Sequence, residues 1–222
     1  MAILIGCAGP GGGVYHTVGK GETLWRISHT YGADIQDVAE VNNIKDPTKI
    51  ELGQKIFIPG ARHARKVAPY NTPKKSRSPG RVPRDGGDEG EEPGRIVMEK
   101  GRFSWPIEGT VISGYGARGE VMHSGIDIKA PKGSPVKAAA DGKVVYSNNN
   151  MAGYGNVVIV EHADDYFTVY AHNDRNLVKE GDAVKKGVEV ALVGDSGNAA
   201  TPHLHFEIRR GRKTRNPLFF LP

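Results

Sequence analysis

The sequence predicts a multidomain α+β chain: a small βααβ module, a flexible linker, and a larger, mostly antiparallel β-sheet domain. Apolar residues recur at helical spacing between Leu24 and Val41, whereas beyond residue 140 several segments alternate apolar and polar. Residues 61–102, between these regions, are rich in Pro, Gly and charge and show no apolar period. A length of 222 residues suits one small and one medium domain. The expected division is 1–14, 15–60, 61–102 and 103–222.

The first segment holds the single cysteine, Cys7, after Leu4-Ile5-Gly6 and before the Gly-rich run Ala8 to Gly13. This resembles the lipobox of bacterial lipoproteins, in which the cysteine carries the lipid. Six preceding residues without a basic region cannot make a whole signal peptide, so the true start is expected upstream. One cysteine allows no disulfide within the chain, and no stretch is long enough to span a membrane.

In the module, Gly21-Glu22-Thr23 precedes Leu24, Ile27 and Tyr31 at helical spacing. Asp34 caps a second helix with Ile35, Val38 and either Val41 or Ala39 facing inward. Leu52 to Pro59 reads as a turn and an alternating strand ended by proline. His16, His29 and His63 read as surface residues.

The linker is basic, then acidic. Residues 61–84 carry eight Lys or Arg and no acid, and without those eight the formal +5 of the chain becomes −3. The pI of 9.2 therefore belongs mainly to the linker. A coil of some forty residues reaches roughly 35 Å. Such a tether adheres to anionic envelope polymers or serves as a solvated spacer. Nucleic acid is not an expected partner, because the charge lies on a segment with one aromatic, Tyr70, rather than on a stacking face.

The last domain is expected to have strands over 143–146, 157–162, 166–172, 189–193 and 203–209, with a site in a groove on the polar face of the sheet. Three short segments in it, His123-Ser124-Gly125-Ile126-Asp127, Tyr170-Ala171-His172 and His203-Leu204-His205, supply four histidines and an aspartate. A water-activating zinc needs three N or O ligands, an open position and a base. Residues two apart on a strand lie roughly 6.5 to 7 Å apart along it, so one of His203 and His205 can ligate while the other reaches the water. His172, on the polar parity of a second alternating strand, is another base. His123 and Asp127 cannot both ligate from a straight strand, so the chain must bend, with Gly125 as the residue that permits it. His162 reads as structural.

Residues 103–222 resemble the lysostaphin and LytM type of zinc metallopeptidase of bacterial peptidoglycan. The resemblance rests on Ser113-Gly114-Tyr115-Gly116-Ala117-Arg118, the His-Ser-Gly-Ile-Asp segment, Ala130 to Val136, Gly153-Tyr154-Gly155-Asn156, Tyr-Ala-His, and Thr201-Pro202-His203-Leu204-His205-Phe206-Glu207. It implies one Zn2+ held by His123, Asp127 and His205, with His172 and His203 activating water and stabilising the transition state. The chain departs from the family at Ala199-Ala200-Thr201, where a Ser-Thr-Gly run is usual, which bears on substrate positioning. Arg118 is either a substrate-facing or a structural charge.

Val18 to Ser28, Asn42-Asn43 and Leu52 to Pro59 resemble a LysM module. That resemblance implies binding of N-acetylglucosamine glycans, chiefly through backbone around Gly21, Glu22, Thr23 and Leu24 and near Ile50. Leu24 and Ile27 are expected to be core. The whole layout resembles NlpD-type envelope lipoproteins. Two functions follow: an endopeptidase cutting cross-links or stem peptides, or a non-catalytic activator of a cell-wall amidase in cell division. Either places the chain in the bacterial envelope, lipid-anchored and, with Ala8 after Cys7, in the outer membrane facing the periplasm.

Overall fold

The computed structural model describes residues 12–69, 95–119 and 121–222. These form two units, one reaching to Val97 and one starting at Met98. Cys7 and the greater part of the expected linker lie outside the described residues.

In the first unit, strand β1 (Gly13–Thr17) pairs antiparallel with β2 (Lys55–Pro59), and helices α1 (Leu24–Tyr31) and α2 (Ile35–Val41) come between them in sequence. Each helix starts where a side chain satisfies a free N–H: Arg26 N donates to Thr23 Oγ1 at 3.3 Å and Asp37 N to Asp34 Oδ1 at 3.0 Å. Gly32, at φ 68°, ends α1 in the left-handed conformation that glycine adopts without strain. Leu24, Ile27, Val38, Ala39, Ile56 and Ile58 form the centre of the core, and each large side chain among them contributes about 1.5–3 kcal/mol by burial. Val41 is buried as well as Ala39. The Asn42 side chain joins helix to strand, donating to Val38 O and Phe57 O and accepting from Phe57 N, each at 2.8 Å.

Two expectations fail here. His16 is not a surface residue: it is buried, with Nε2 2.7 Å from Glu22 Oε2 and Nδ1 3.1 Å from Tyr31 Oη. The linker also does not begin at residue 61. Val67 is buried in the module core, Arg65 N donates to Tyr31 Oη at 2.8 Å, and Arg26 reaches Ala68 O at 3.2 Å. Farther on, Gln36 holds the backbone of Val97 from both sides, accepting from its N–H at 2.8 Å and donating to its carbonyl at 3.0 Å. In the second unit, Tyr166 Oη donates to Glu99 Oε1 at 2.8 Å. A module of about 45 residues buries too little surface to discard nearby apolar side chains such as Val67 and Ile96.

The second unit contains β3 (Thr110–Ser113), β4 (Gly116–Arg118), β5 (Val121–His123), β6 (Ile126–Lys129), β7 (Pro135–Lys137) and β8 (Gly142–Met151). These are followed by β9 (Gly155–Glu161), β10 (Tyr166–Asn176), β11 (Ala183–Val184), β12 (Glu189–Val193), β13 (His203–Arg210) and β14 (Lys213–Arg215). The main sheet runs β11-β8-β9-β10-β13-β6-β3, with β12 on the far part of β10, β7 on β12 and β14 on β13. All its pairings are antiparallel. A separate hairpin, β4-β5, carries His123. The strands β10 and β13 are not half-buried as their alternation suggests. Leu204, Phe206, Ile208 and Glu207 are all fully buried, as are Thr168, Val169, Tyr170 and Ala171. Both strands are central, and both of their faces are covered.

Candidate metal and catalytic site

The sheet register assembles most of the site. β13 lies between β6 and β10, and His205 pairs with Asp127 on one side and with Ala171 on the other. Paired residues share a face, so Asp127 and His205 emerge side by side. His123 joins them from the end of β5. The bend between His123 and Asp127 occurs as expected, but Gly125 serves it differently. Its φ is not in the left-handed region, and a Cβ there would run into the Phe206 carbonyl and Glu207 Cγ. The turn needs glycine because it lies flat on β13.

His123 Nε2 is 3.1 Å from Asp127 Oδ1 and 3.3 Å from His205 Nδ1, which is 2.8 Å from Asp127 Oδ1. Among the described residues this is the cluster able to hold a metal ion. The donor set fits zinc on two counts. Ligands of a tetrahedral zinc at 2.0–2.1 Å stand about 3.4 Å apart. The outer ring nitrogens also have acceptors: His123 Nδ1 is 2.6 Å from Gly114 O, and His205 Nε2 is 3.1 Å from Glu207 Oε1. Protons held on those nitrogens leave two imidazole lone pairs and a carboxylate oxygen facing one another, which calls for a cation. The Arg118 guanidinium also lies 2.5 Å from His123 Nδ1 and 3.7 Å from Asp127 Oδ2. As a donor it asks for the opposite His123 tautomer, and only the Gly114 contact leaves Nε2 open.

A proton is the other cation this cluster accepts. Burial alone would lower the His205 pKa, but hydrogen bonds to Asp127 and Glu207 outweigh it and raise the ring to about 9. Burial likewise works against the Asp127 charge, and the two histidines reverse that, holding its carboxyl far below the usual range.

Beside the cluster stand His172 and His203, with ring centroids 4.9 Å apart. His203 Nδ1 donates to Thr201 O at 2.7 Å and His172 Nδ1 to Ser196 O at 2.8 Å, which leaves both Nε2 atoms free. The Thr201 contact uses backbone, so the Ala199-Ala200-Thr201 departure leaves it intact. His203 Nε2 is 3.8 Å from Asp127 Oδ1, close to the cluster but not part of it. Burial lowers the His172 pKa, keeping the ring neutral at neutral pH.

His172 reaches this position against the strand pattern. Simple alternation from Ala171, which shares the face of His205, would send it to the opposite side of the sheet. Instead it adopts φ 64°, and the register of β10 breaks between Tyr170 and Asn173. Its ring thereby comes within 5.8 Å of the His205 ring. A non-glycine residue at positive φ costs about 1–2 kcal/mol, which the surrounding contacts must offset. The polar parity expected of a regular strand is therefore not what brings His172 beside the cluster; the register break does.

Residues not anticipated as functional surround His205. Glu207 is fully buried, and its Oε1 accepts from Ser124 Oγ at 2.5 Å and Tyr154 Oη at 2.8 Å, while Oε2 accepts from Arg209 Nε at 2.5 Å. Burial opposes its charge, yet His205 and Arg209 bring its pKa down to about 2. The available signal was the parity shared by His203, His205 and Glu207. A polar crevice of about 390 Å³, lined in part by Asn149, Asn150, Met151 and Ser196, adjoins the loop that orients His172. His162 is structural as expected, bonded to Asp141 O and Thr168 Oγ1 at 2.7 Å each.

In the first unit, the expected glycan contacts divide. The Leu24 side chain is fully buried, and the Glu22 carboxylate is turned inward to His16 and to Gly19 N at 2.7 Å. Gly21 and Thr23 are exposed and Ile50 is half-buried, so the expected contacts rest on the backbone of this stretch. Trp25, by contrast, is exposed and stacks on His29 at 4.9 Å.

Comparison with known proteins bears on both units. The profile of peptidase family M23 matches residues 121–217, and that of the LysM domain matches residues 16–59. The lipoprotein YgeR of Escherichia coli K12 is 37% identical over 99% of this chain and 88% of its own length. The murein hydrolase activator NlpD of the same organism is 33% identical over 95% of this chain and 68% of its own. Among solved structures, a zinc-containing peptidase from Vibrio cholerae aligns with 33% identity and a TM-score of 0.49, over 52% of this chain and 39% of that one.

Proposed function

The chain belongs to peptidase family M23, with a LysM domain ahead of the peptidase domain, and from this premise we propose that it is a zinc-dependent endopeptidase of bacterial peptidoglycan. One observation carries the reading. The two histidines of the cluster have acceptors within reach of their outer nitrogens, that of His123 shared with Arg118, while the two beside it have their Nδ1 atoms tied to backbone. This pattern supports two of the four imidazoles as ligands and two as proton carriers.

His123, Asp127 and His205 would hold the zinc, which when bound polarises the scissile carbonyl and lowers the pKa of water towards neutrality. A peptide laid along the sheet face brings its scissile bond between the cluster and the His172/His203 pair. One Nε2 of that pair takes the proton of the attacking water and then delivers it to the leaving nitrogen. The other, once protonated, donates to the oxygen on which charge develops. The backbone bonds at Nδ1 keep both rings turned inward, so little orientation is lost at each step. The crevice beside Ser196 is suited to an adjoining stretch of stem peptide. The LysM module would retain the chain on N-acetylglucosamine glycan, and a lipid at Cys7 would confine it to the outer membrane facing the periplasm.

The similarity to NlpD favours a second reading, activation of a cell-wall amidase. Mass spectrometry of cross-linked muropeptides incubated with the zinc-loaded chain separates the two. Loss of dimers, absent with His123→Ala, is the result expected of the endopeptidase. Intact dimers with enhanced cleavage by an added amidase would replace it with the activator.

A further inference from the structure

The His205 ring is held between two carboxylates, with Asp127 Oδ1 2.8 Å from Nδ1 and Glu207 Oε1 3.1 Å from Nε2. We infer that Glu207 is a positioning residue that decides which nitrogen of His205 faces the metal site and ties the segments of that site together. The inference rests on His123, Asp127 and His205 being the metal ligands.

A neutral imidazole has one N–H. Placed on Nδ1, it would bond to Asp127 and close the cluster to a cation. Placed on Nε2, it bonds to Glu207 and leaves the Nδ1 lone pair open. The second arrangement wins because the two carboxylates are not equally placed. Asp127 keeps some exposure to water, whereas Glu207 has none. The Glu207 charge, wholly out of water, is answered only by protein donors, whereas water can also serve Asp127, so the N–H is worth more on the Glu207 side. The remaining donors, Ser124 Oγ, Tyr154 Oη and Arg209 Nε, prevent Glu207 from rotating away.

These donors come from separate parts of the site. Ser124 belongs to the turn between the ligands His123 and Asp127. Tyr154 lies in the β8-β9 connection, where its carbonyl accepts from His172 N at 2.9 Å. Glu207 therefore joins the ligand turn, the ligand strand and the support of His172. A buried ion pair with Arg209 would need only the Arg209 contact.

The test uses the full chain and does not depend on hydrolysis. Zinc affinity is measured by competition with a chromophoric chelator, and the ligand field by the visible spectrum of the Co2+ form, for wild type and Glu207→Gln. The expected result is roughly 10–100-fold weaker zinc binding with altered cobalt bands and an unchanged far-ultraviolet spectrum. Affinity within twofold of wild type, with the same cobalt bands, would overturn the inference. If Glu207→Gln does not fold, two-bond 1H–15N correlations of zinc-loaded wild type decide it: coordination through Nδ1 of His205 supports it and coordination through Nε2 overturns it. A wild-type chain that binds neither ion would instead remove the ligand assignment, and the inference with it.

Discussion

Ser196 accepts the Nδ1 proton of His172 through its backbone carbonyl at 2.8 Å, and so a loop distant in sequence sets the direction of this ring. The loop is itself held, since Asn156 N donates to Ser196 Oγ at 2.9 Å and that hydroxyl donates to Asn173 O at 2.7 Å. A ring oriented in this way needs no contact with the metal cluster to play the proton-carrying role proposed for it. Replacing His172 or His203 with Ala should leave zinc affinity within a few-fold and reduce muropeptide hydrolysis by about 10²-fold or more. A His203→Ala chain that lost its zinc would place His203 among the ligands instead.

Zinc should stabilise the second unit, because His123, Asp127 and His205, the proposed ligands, converge only when it is folded. Zinc at about a hundred times its dissociation constant contributes about 2.7 kcal/mol. Differential scanning calorimetry should show the transition of this unit rising with zinc and falling with chelator, and Asp127→Asn should abolish the response. A zinc-induced shift that survived in Asp127→Asn would locate the binding elsewhere.

His162 gives the second unit a pH dependence of its own. Burial lowers its pKa below the usual 6.5, partly offset by the Asp141 carbonyl. The unfolded chain therefore binds a proton at a higher pH than the folded one does. This contribution to stability is complete above about 6.5 and is lost as pH falls through the lower folded value. Urea unfolding at pH 7.5, 6.5 and 5.5 should show the loss, and His162→Gln should flatten it. A His162→Gln profile parallel to wild type would assign the acid sensitivity to other groups.

Gly125→Ala should cost about 1–3 kcal/mol, since its Cβ would overlap the Phe206 backbone. The same displacement moves the turn between two ligands, so zinc affinity should fall together with stability. Unchanged affinity in a destabilised variant would mean that the turn adapts without disturbing His123.

Val67→Asp should destabilise the first unit by at least about 2 kcal/mol, because a charge would enter its core. Zinc binding by the second unit should be unaffected. A fully stable Val67→Asp chain would show that residues 61–69 do not belong to the module.

The five residues of the candidate site could be picked out of the sequence because metal chemistry restricts the residue types and each lies in a short, distinctive segment, and the fold brings them together. The helices of the first unit were equally legible, with Thr23 and Asp34 capping where the apolar spacing starts. Strands β8, β9, β10, β12 and β13 were visible as alternation, whereas β4, β5, β7, β11 and β14 were not, since two or three residues carry no period. Other features depend on contacts between residues distant in sequence. The burial of His16 comes from Tyr31 and Glu22, and the place of Val67 comes from a core too small without it. The face on which His172 emerges depends on a register break that alternation cannot reveal. Glu207 resembled any polar residue on a strand until the fold surrounded it with Ser124, Tyr154 and Arg209. Residue chemistry, a local property, determined which side chains could act; long-range pairing, which brings distant backbone within hydrogen-bonding distance, decided the nitrogen each histidine presents.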